Sequence, residues 1–175
     1  MLTYTTGMMH AQDVLTIVSS LAAAGVPVWL DGGWGIDALV GEQTRPHTDL
    51  DVVIALHDVQ AAQEVLGQHY FVLIEDELPT RFVLRDDHDR RIDFHTVTFD
   101  GKGGGIQQLQ DGISFRYPQE GFSGTGSVAR QAIPCLTAEV QMLCHVGYMP
   151  DANDYHDVHL LHTRFGLDLP PPYRC

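Results

Sequence analysis

Asp49-Leu50-Asp51-Val52-Val53-Ile54-Ala55 is the stretch on which the fold turns. It reads as a strand: acid, apolar, acid, then an apolar run. Side chains alternate along a strand, so residues two apart point to one face. Two carboxylates held side by side repel unless a cation bridges them. A third acid, Asp93, lies in Arg91-Ile92-Asp93-Phe94-His95, another short strand with apolar neighbours. If the two strands are adjacent, Asp49, Asp51 and Asp93 converge on one point, with His95 on the Asp93 face. Hard divalent ions such as Mg²⁺ take oxygen ligands and keep waters or substrate phosphates for the rest. That is the arrangement used in two-metal phosphoryl or nucleotidyl transfer. A lone DxD pair also describes a solvated strand end, so the surrounding sequence has to decide.

Upstream, residues 26–30 read as a short buried strand that breaks at Asp31-Gly32-Gly33 and is followed by a short helix over 34–39. Glycines let backbone N–H groups approach a phosphate, and a helix N-terminus favours its negative charge. The spacing fits neither GxxxxGK[ST] nor GxGxxG. Thr44-Arg45-Pro46-His47 precedes the acids and places one permanent cation and one titratable group beside them. Apolar positions Val14, Leu15, Val18, Leu21 and Ala22 predict a helix over 11–24, stopped by Gly25. A second helix is expected over 58–66.

Downstream, 70–74, 81–84 and 91–97 read as strands, with Asp86-Asp87-His88-Asp89 as a hairpin turn. Glu75-Asp76-Glu77 reads as a solvated loop that could attract a cationic acceptor. Residues 99–129 are Gly-rich and read as a loop or loose β-extension that shapes acceptor choice. Thr137 can cap a helix to about 147, and Asp151 or Asn153 can start a last one to about 165. Leu169-Pro170-Pro171-Pro172 is expected to end regular structure. The order predicts an α+β fold, a mixed sheet flanked by helices, with helices at the C-terminal end.

The 175 residues carry 10 Lys plus Arg against 23 Asp plus Glu, a net charge of −13. Duplex nucleic acid and anionic membranes are excluded as partners, because their affinity comes from Lys and Arg. A cationic or metal-bridged partner suits the charge. The start, Met1 to Gly7, has no basic-then-apolar signal, and no 18-residue apolar run occurs. Three cysteines without a CxxC pair read as reduced thiols, and the expected location is cytoplasmic. His156, His159 and His162 fall at three-residue spacing, but without HExxH or a thiol pair they read as surface or packing residues rather than zinc ligands.

Gly32-Gly33-Trp34, then Asp49-x-Asp51, then a distant Asp93 resembles the DNA-polymerase-β-like nucleotidyltransferase superfamily. More narrowly, Trp29 to Leu39 followed by Gly41-x-Gln43-Thr44-Arg45-x-His47-x-Asp49-Leu50-Asp51 resembles the small lincosamide nucleotidyltransferases, and in looser form the aminoglycoside 2″-nucleotidyltransferases. The likeness continues through Ile92-Asp93-Phe94-His95, Ile133-Pro134-Cys135, Gln141-x-Leu143-x-His145-x-Gly147-Tyr148 and Asp154-x-x-Asp157. It is thinnest between about 100 and 126.

The resemblance implies transfer of a nucleoside monophosphate, usually AMP from ATP but with another nucleoside triphosphate admitted, to a hydroxyl of a small antibiotic, with pyrophosphate released. A lincosamide is the first acceptor it suggests and an aminoglycoside the second; both are cationic amines bearing sugar hydroxyls. A superfamily member that modifies a protein is a further reading. A nucleotide-binding module without catalysis is another, and the intact Asp49, Asp51, Asp93 set speaks against it. By the same resemblance, Asp49 and Asp51 would ligate Mg²⁺, two ions in all. Asp93 would be the general base or a ligand of the second ion. Gly32 and Gly33 would hold the triphosphate, Arg45 would contact its oxygens, and Trp34 would shape that site. His95, Arg81, Tyr148 and Asp154 would face the substrates. Residues 1–130 would form the catalytic core and 131–175 a helical segment closing the cleft, in one compact unit. A chain this small walls only part of a cleft, which admits a homodimer. Where relatives often carry a triphosphate-binding Lys before the last acidic helix, this chain has Asn153. Its only Lys is Lys102, so Arg81, Lys102 or Arg164 would have to substitute.

Overall fold

The computed structural model describes residues 7–174. Met1–Thr6 and Cys175, which bear on the reading of the N-terminus and of the third thiol, lie outside the described residues. The elements run α1 (Ala11–Ala23), β1 (Val28–Asp31), α2 (Gly32–Val40), β2 (Asp49–Ala55), α3 (Val59–Gly67), β3 (Val72–Glu77), β4 (Arg81–Arg85) and β5 (Arg91–Phe99). They continue with β6 (Gly105–Gln108), β7 (Ser114–Tyr117), β8 (Thr125–Val128), β9 (Gln131–Pro134), α4 (Ala138–Cys144) and α5 (Ala152–Phe165). The sheet order is β1-β2-β5-β4-β3, with β6 and β7 added to the end of β5. Among the strands of this sheet only β2 and β5 pair in parallel, so the sheet is mixed and the fold is α+β.

Alternation along β2 decides where everything else sits. Leu50, Val52 and Ile54 face a core built with Val14 and Leu21 of α1, Ala62 and Leu66 of α3, and Phe82, Leu84, Ile92 and Phe94. Phe82 and Phe94 stack there with ring centroids 4.5 Å apart. Asp49, Asp51 and Val53 are on the other face. Val53 is covered by Val97, Tyr117, Leu136 and Val140. A third cluster, Ile36, Ala138, Met142, Val158, Leu161 and Tyr173, packs α4 and α5 against α2. The acids therefore open onto a cleft between the sheet face and the C-terminal helices, not onto the core.

Four expectations shift. First, the helix after β1 starts at Gly32 rather than 34, because Asp31 ends the strand and caps the helix by accepting the Gly32 N–H at 2.8 Å. Second, β3 starts at Val72 rather than 70 and runs through Glu75-Asp76-Glu77. Tyr70 has a positive φ of 66° and turns the chain, and the acids form ladder positions of an edge strand instead of a loop. Third, residues 99–129 hold the β6–β7 hairpin, a 3-10 turn at Gln119–Ser123 and β8. Phe122 packs edge to face against both Trp29 and Phe99 beneath them, and Trp29 Nε1 donates to Phe122 O at 2.9 Å. Fourth, the chain does not end loosely after Leu169: a 3-10 turn at Pro171–Tyr173 buries Tyr173 completely, and its hydroxyl donates to His145 O at 2.7 Å. Cys135 and Cys144 are free thiols. No helix of the described residues is long and apolar enough to cross a membrane.

Candidate active site

Strand register lines up the chemistry in two rows across the sheet. Asp31 lies opposite Asp51, Asp51 opposite Asp93, Asp93 opposite Val83, and Val83 opposite Glu75. One pleat along, Val53, His95, Arg81 and Glu77 form the second row. Directly opposed residues project to the same face, so both rows share the face that bounds the cleft; Asp31, Asp51, His95 and Arg81 line the cleft itself, while Asp93 stands beside it. Donor atoms of Asp51, Asp93 and His95 all lie within 4.8 Å of one another. The His95 imidazole Nε2 stands 3.7 Å from Asp51 Oδ1. Asp49 points the same way but sits two residues up the strand, roughly 7 Å further along, opposite Arg91 and exposed at the rim. The tight group is thus Asp51, Asp93 and His95, and Asp49 does not join it, contrary to the expected three-acid convergence.

Burial and crowding set the protonation of this group. Burial pushes the Asp51 carboxyl up to about 6; His95 opposes that shift, while Asp49 and Asp31 add to it. Asp93 is also raised, by burial first, against His95 and Arg81. For His95, burial favours the neutral ring, but Asp51, Asp31 and Asp93 outweigh it and hold its pKa up at about 9. Asp93 Oδ2 accepts from Arg81 Nη1 at 2.8 Å, whereas its Oδ1 is buried without a partner among the described residues. Behind His95 stands Gln107, whose amide donates to Thr80 O at 2.9 Å and accepts from the buried Tyr117 hydroxyl at 2.9 Å.

The glycine turn is a close-packing device as well as a helix N-terminus. Gly32 has φ +57°, and a Cβ there would stand 2.4 Å from Asp51 Oδ2. A Cβ on Gly33 would stand 2.4 Å from Arg45 Nη2. Arg45 is held against α5 by a bidentate pair with the buried Asp157, Nε to Oδ1 at 2.9 Å and Nη2 to Oδ2 at 2.6 Å. His47 does not face the cleft as a second cation. It is buried, bonded to Asp37 Oδ2 at 2.6 Å and packed at a tilt against Trp34 with ring centroids 4.7 Å apart. Trp34 itself is 3% exposed and packs in the core, so it supports the turn from below and does not line the nucleotide site.

The cleft has a volume of about 610 Å³. Its floor holds Asp31, Asp51 and His95, with Asp49 at the rim, and its walls hold Arg45, Arg81, Tyr148, Asn153 and Asp154. Tyr148 donates to Asp154 Oδ1 at 2.9 Å, and Asp154 Oδ2 accepts the Asp151 N–H at 2.8 Å in a reciprocal cap of α5. Leu109, Phe115 and Tyr117 from the β6–β7 hairpin and Val146 from the α4–α5 junction add an apolar side. Of the three residues considered for the role of the family Lys, only Arg81 borders the cleft. Lys102 is exposed in the β5–β6 turn, and Arg164 pairs with Glu42 at 3.1 Å. His156 meets Thr44 Oγ1 at 2.9 Å, His159 meets Tyr155 O at 2.8 Å and His162 meets Leu167 O at 2.6 Å, three separate packing roles. Sequence reasoning missed Gln107 and Tyr117 entirely, took Asp31 for a turn residue, and gave Glu75 and Glu77 to a loop. Their signal was faint: Glu75 and Glu77 share strand period with each other, but only pairing to β4 gives them a partner.

Comparison with known proteins agrees with this geometry. A family model described as aminoglycoside-2″-adenylyltransferase matches residues 13–161. A lincosamide resistance protein of Staphylococcus haemolyticus is 31% identical over 133 residues, 76% of this chain and 82% of that protein. A 2″-aminoglycoside nucleotidyltransferase of Escherichia coli is 38% identical over 65 residues, 34% of this chain and 37% of that protein. The solved structure of a lincomycin-bound lincosamide antibiotic adenylyltransferase superposes with a TM-score of 0.77 at 26% identity, covering 87% of this chain and 96% of that one.

Proposed function

We propose, from the premise that this chain belongs to the aminoglycoside-2″-adenylyltransferase family, that it transfers AMP from ATP to a hydroxyl of a lincosamide and so inactivates the drug. The chain is a nucleotidyltransferase of the antibiotic-modifying kind; the acceptor and the residue roles are our reading. The observation that carries the acceptor is the two-sided cleft, acidic on its floor and apolar along Leu109, Phe115, Tyr117 and Val146. A lincosamide presents sugar hydroxyls and one amine beside an alkyl-bearing ring. An aminoglycoside presents ammonium groups on nearly every side and has little to bury against such a wall.

The residues fit a divalent cation. Asp51 is a half-buried carboxylate crowded by Asp31 and Asp49, and Asp93 Oδ1 is a buried oxygen with no partner among the described residues. Oxygen donors of this kind suit Mg²⁺. Asp51 and Asp93 would hold it, with Asp49 at the rim serving a second ion in our reading, and the metal would supply charge neutralisation at the triphosphate and at the leaving pyrophosphate. The protein's own groups do the rest. Arg45 and the Gly33 N–H bind phosphate oxygens beside the α2 N-terminus. Asp93 takes the proton from the acceptor hydroxyl as that oxygen bonds to the α-phosphorus. The bond from the α-phosphorus to its bridging oxygen breaks, pyrophosphate departs, and Asp93 returns its proton to solvent. Tyr148 and Asp154 border the acceptor, and the acidic floor attracts its amine.

The test is incubation with Mg²⁺, ATP and parallel panels of lincosamides and aminoglycosides, followed by mass spectrometry. One added adenylyl group on lincosamides is expected. Adducts on aminoglycosides alone, or on a co-purified protein alone, would overturn the acceptor, and nucleotide binding with no transfer would overturn the activity.

A further inference from the structure

Arg81 borders the cleft, yet its guanidinium is already fully engaged. Nε donates to Glu77 Oε2 at 2.8 Å, Nη1 to Asp93 Oδ2 at 2.8 Å and Nη2 to Glu75 Oε2 at 2.5 Å. Each nitrogen faces a different carboxylate. One positive charge among three negative ones leaves a local excess of acid, and a triphosphate brought here would meet repulsion. That makes Arg81 a poor stand-in for a phosphate-binding cation. The cage has a clear origin in the sheet. Glu75 and Glu77 share one face of the edge strand β3, Arg81 lies opposite Glu77 on β4, and Asp93 lies next along on β5.

The consequence falls on Asp93. Its two oxygens are equivalent in free solution, but here Arg81 holds Oδ2 while Oδ1 is turned inward, buried and without a partner among the described residues, so the carboxylate is tied in one orientation beside Asp51 and His95. We propose that Arg81 is a positioning residue, which Glu75 and Glu77 lock in place so that it fixes the rotamer of Asp93 and with it the orientation of the carboxylate toward the reacting hydroxyl. This rests on the reading of Asp93 as the base. Glu75 and Glu77 then act two bonds removed from the chemistry: they hold the group that holds the base. A general base works only within hydrogen-bond reach of its proton, and an error of about 1 Å can cost about 100-fold in rate.

Three variants test it: Arg81→Ala, Arg81→Lys and the double variant Glu75→Gln/Glu77→Gln, each assayed for adenylyl transfer and each crystallised. Arg81→Ala is expected to lower kcat about 10- to 100-fold with KM for ATP changed less than about twofold, because a transition-state alignment is lost and not a ground-state contact. The double variant should lower kcat about 3- to 10-fold, since Arg81 keeps its charge but loses two of its three anchors. Arg81→Lys should fall between Arg81→Ala and the unmodified protein, as an ammonium can keep Asp93 but cannot span three partners. In the crystals, Asp93 should leave its rotamer in Arg81→Ala. A KM for ATP raised tenfold at unchanged kcat would make Arg81 a phosphate ligand and overturn the proposal, as would a fall in kcat with Asp93 unmoved, or no change at all. If Arg81→Ala does not fold, the double variant decides by the same two readouts. If the unmodified protein adenylylates no antibiotic, the functional reading fails, and the Asp93 rotamer in the variant crystals still decides the positioning role.

Discussion

Two arginines border the same cleft and are held in opposite ways. Arg45, on the segment before β2, has one carboxylate partner, Asp157, which takes Nε and one edge of the guanidinium. Arg81, on the β3–β4 hairpin, has three, one at each nitrogen. The first, whose third nitrogen donates only to the neutral Pro46 O at 3.3 Å, keeps a net balance of charge and stands over the Gly33 backbone, where a phosphate can approach. The second is over-neutralised. An arginine's place in a cleft therefore does not reveal what it does there. The number of carboxylates around it separates a ligand for the substrate from a brace for another residue.

The largest effect expected lies between the two arginines, in the acids they flank. Asp51→Ala or Asp93→Asn should lower turnover by about 10³-fold or more while the protein stays folded, as removal of a central charge-handling group does; circular dichroism and initial rates check both halves. Near-unmodified adenylylation by either would remove that residue from the mechanism. Next, Arg45→Ala should raise KM for ATP about 10- to 100-fold, the opposite split from Arg81→Ala. If both variants change the same kinetic parameter, the contrast between the arginines collapses.

Two subtler changes sharpen the contrast. Asp157→Asn keeps the shape of the Arg45 partner and removes its charge, and should raise KM for ATP about 3- to 10-fold by loosening the guanidinium. A fall in KM would instead mean that Asp157 competes with the triphosphate. A pH test isolates the third cation, His95. Its pKa is held at about 9 against an ordinary 6.5, so the stability it contributes is complete below 6.5 and is lost as pH rises through about 9. Asp51, raised to about 6, costs stability as it ionises between about 4 and 6, so it does not contribute in the alkaline window. The melting temperature of metal-free protein should therefore fall as pH rises through 9, and His95→Asn should flatten that fall. The smallest effect is salt. Acceptor affinity measured at constant Mg²⁺ should weaken a few-fold as ionic strength shortens the screening length below about 8 Å; a salt-independent affinity would confine the net charge of −13 to solubility.

Much of this was legible in the chain. Asp49–Ala55 is the strand that its alternation predicted, and α1 and α5 differ from their predicted spans by a residue or so, because periodicity and caps are local signals. The site was legible in part. Asp51, Asp93 and His95 could be suspected from spacing, but their meeting depends on β2 and β5 being parallel neighbours in one register. The exclusion of Asp49 from the tight group depends on the same register. Trp34 and His47 looked like cleft residues from sequence because they flank the glycine turn and the acids. They are instead buried against each other, with Asp37 accepting both from His47 and from Thr44 Oγ1 at 2.6 Å.

What the sequence by itself determined is therefore chemical and local: an acidic α+β chain with carboxylates at the head of an apolar strand and a glycine turn able to receive a phosphate. These follow from side-chain period, backbone freedom and charge, all readable over a few residues. Tertiary structure alone decided which acid faces which, that Glu75 and Glu77 belong to a strand, and that Arg81 meets three carboxylates while Arg45 meets one. Those outcomes depend on strand order and register between segments far apart in the chain. A shift of one residue would turn every one of these side chains to the other face.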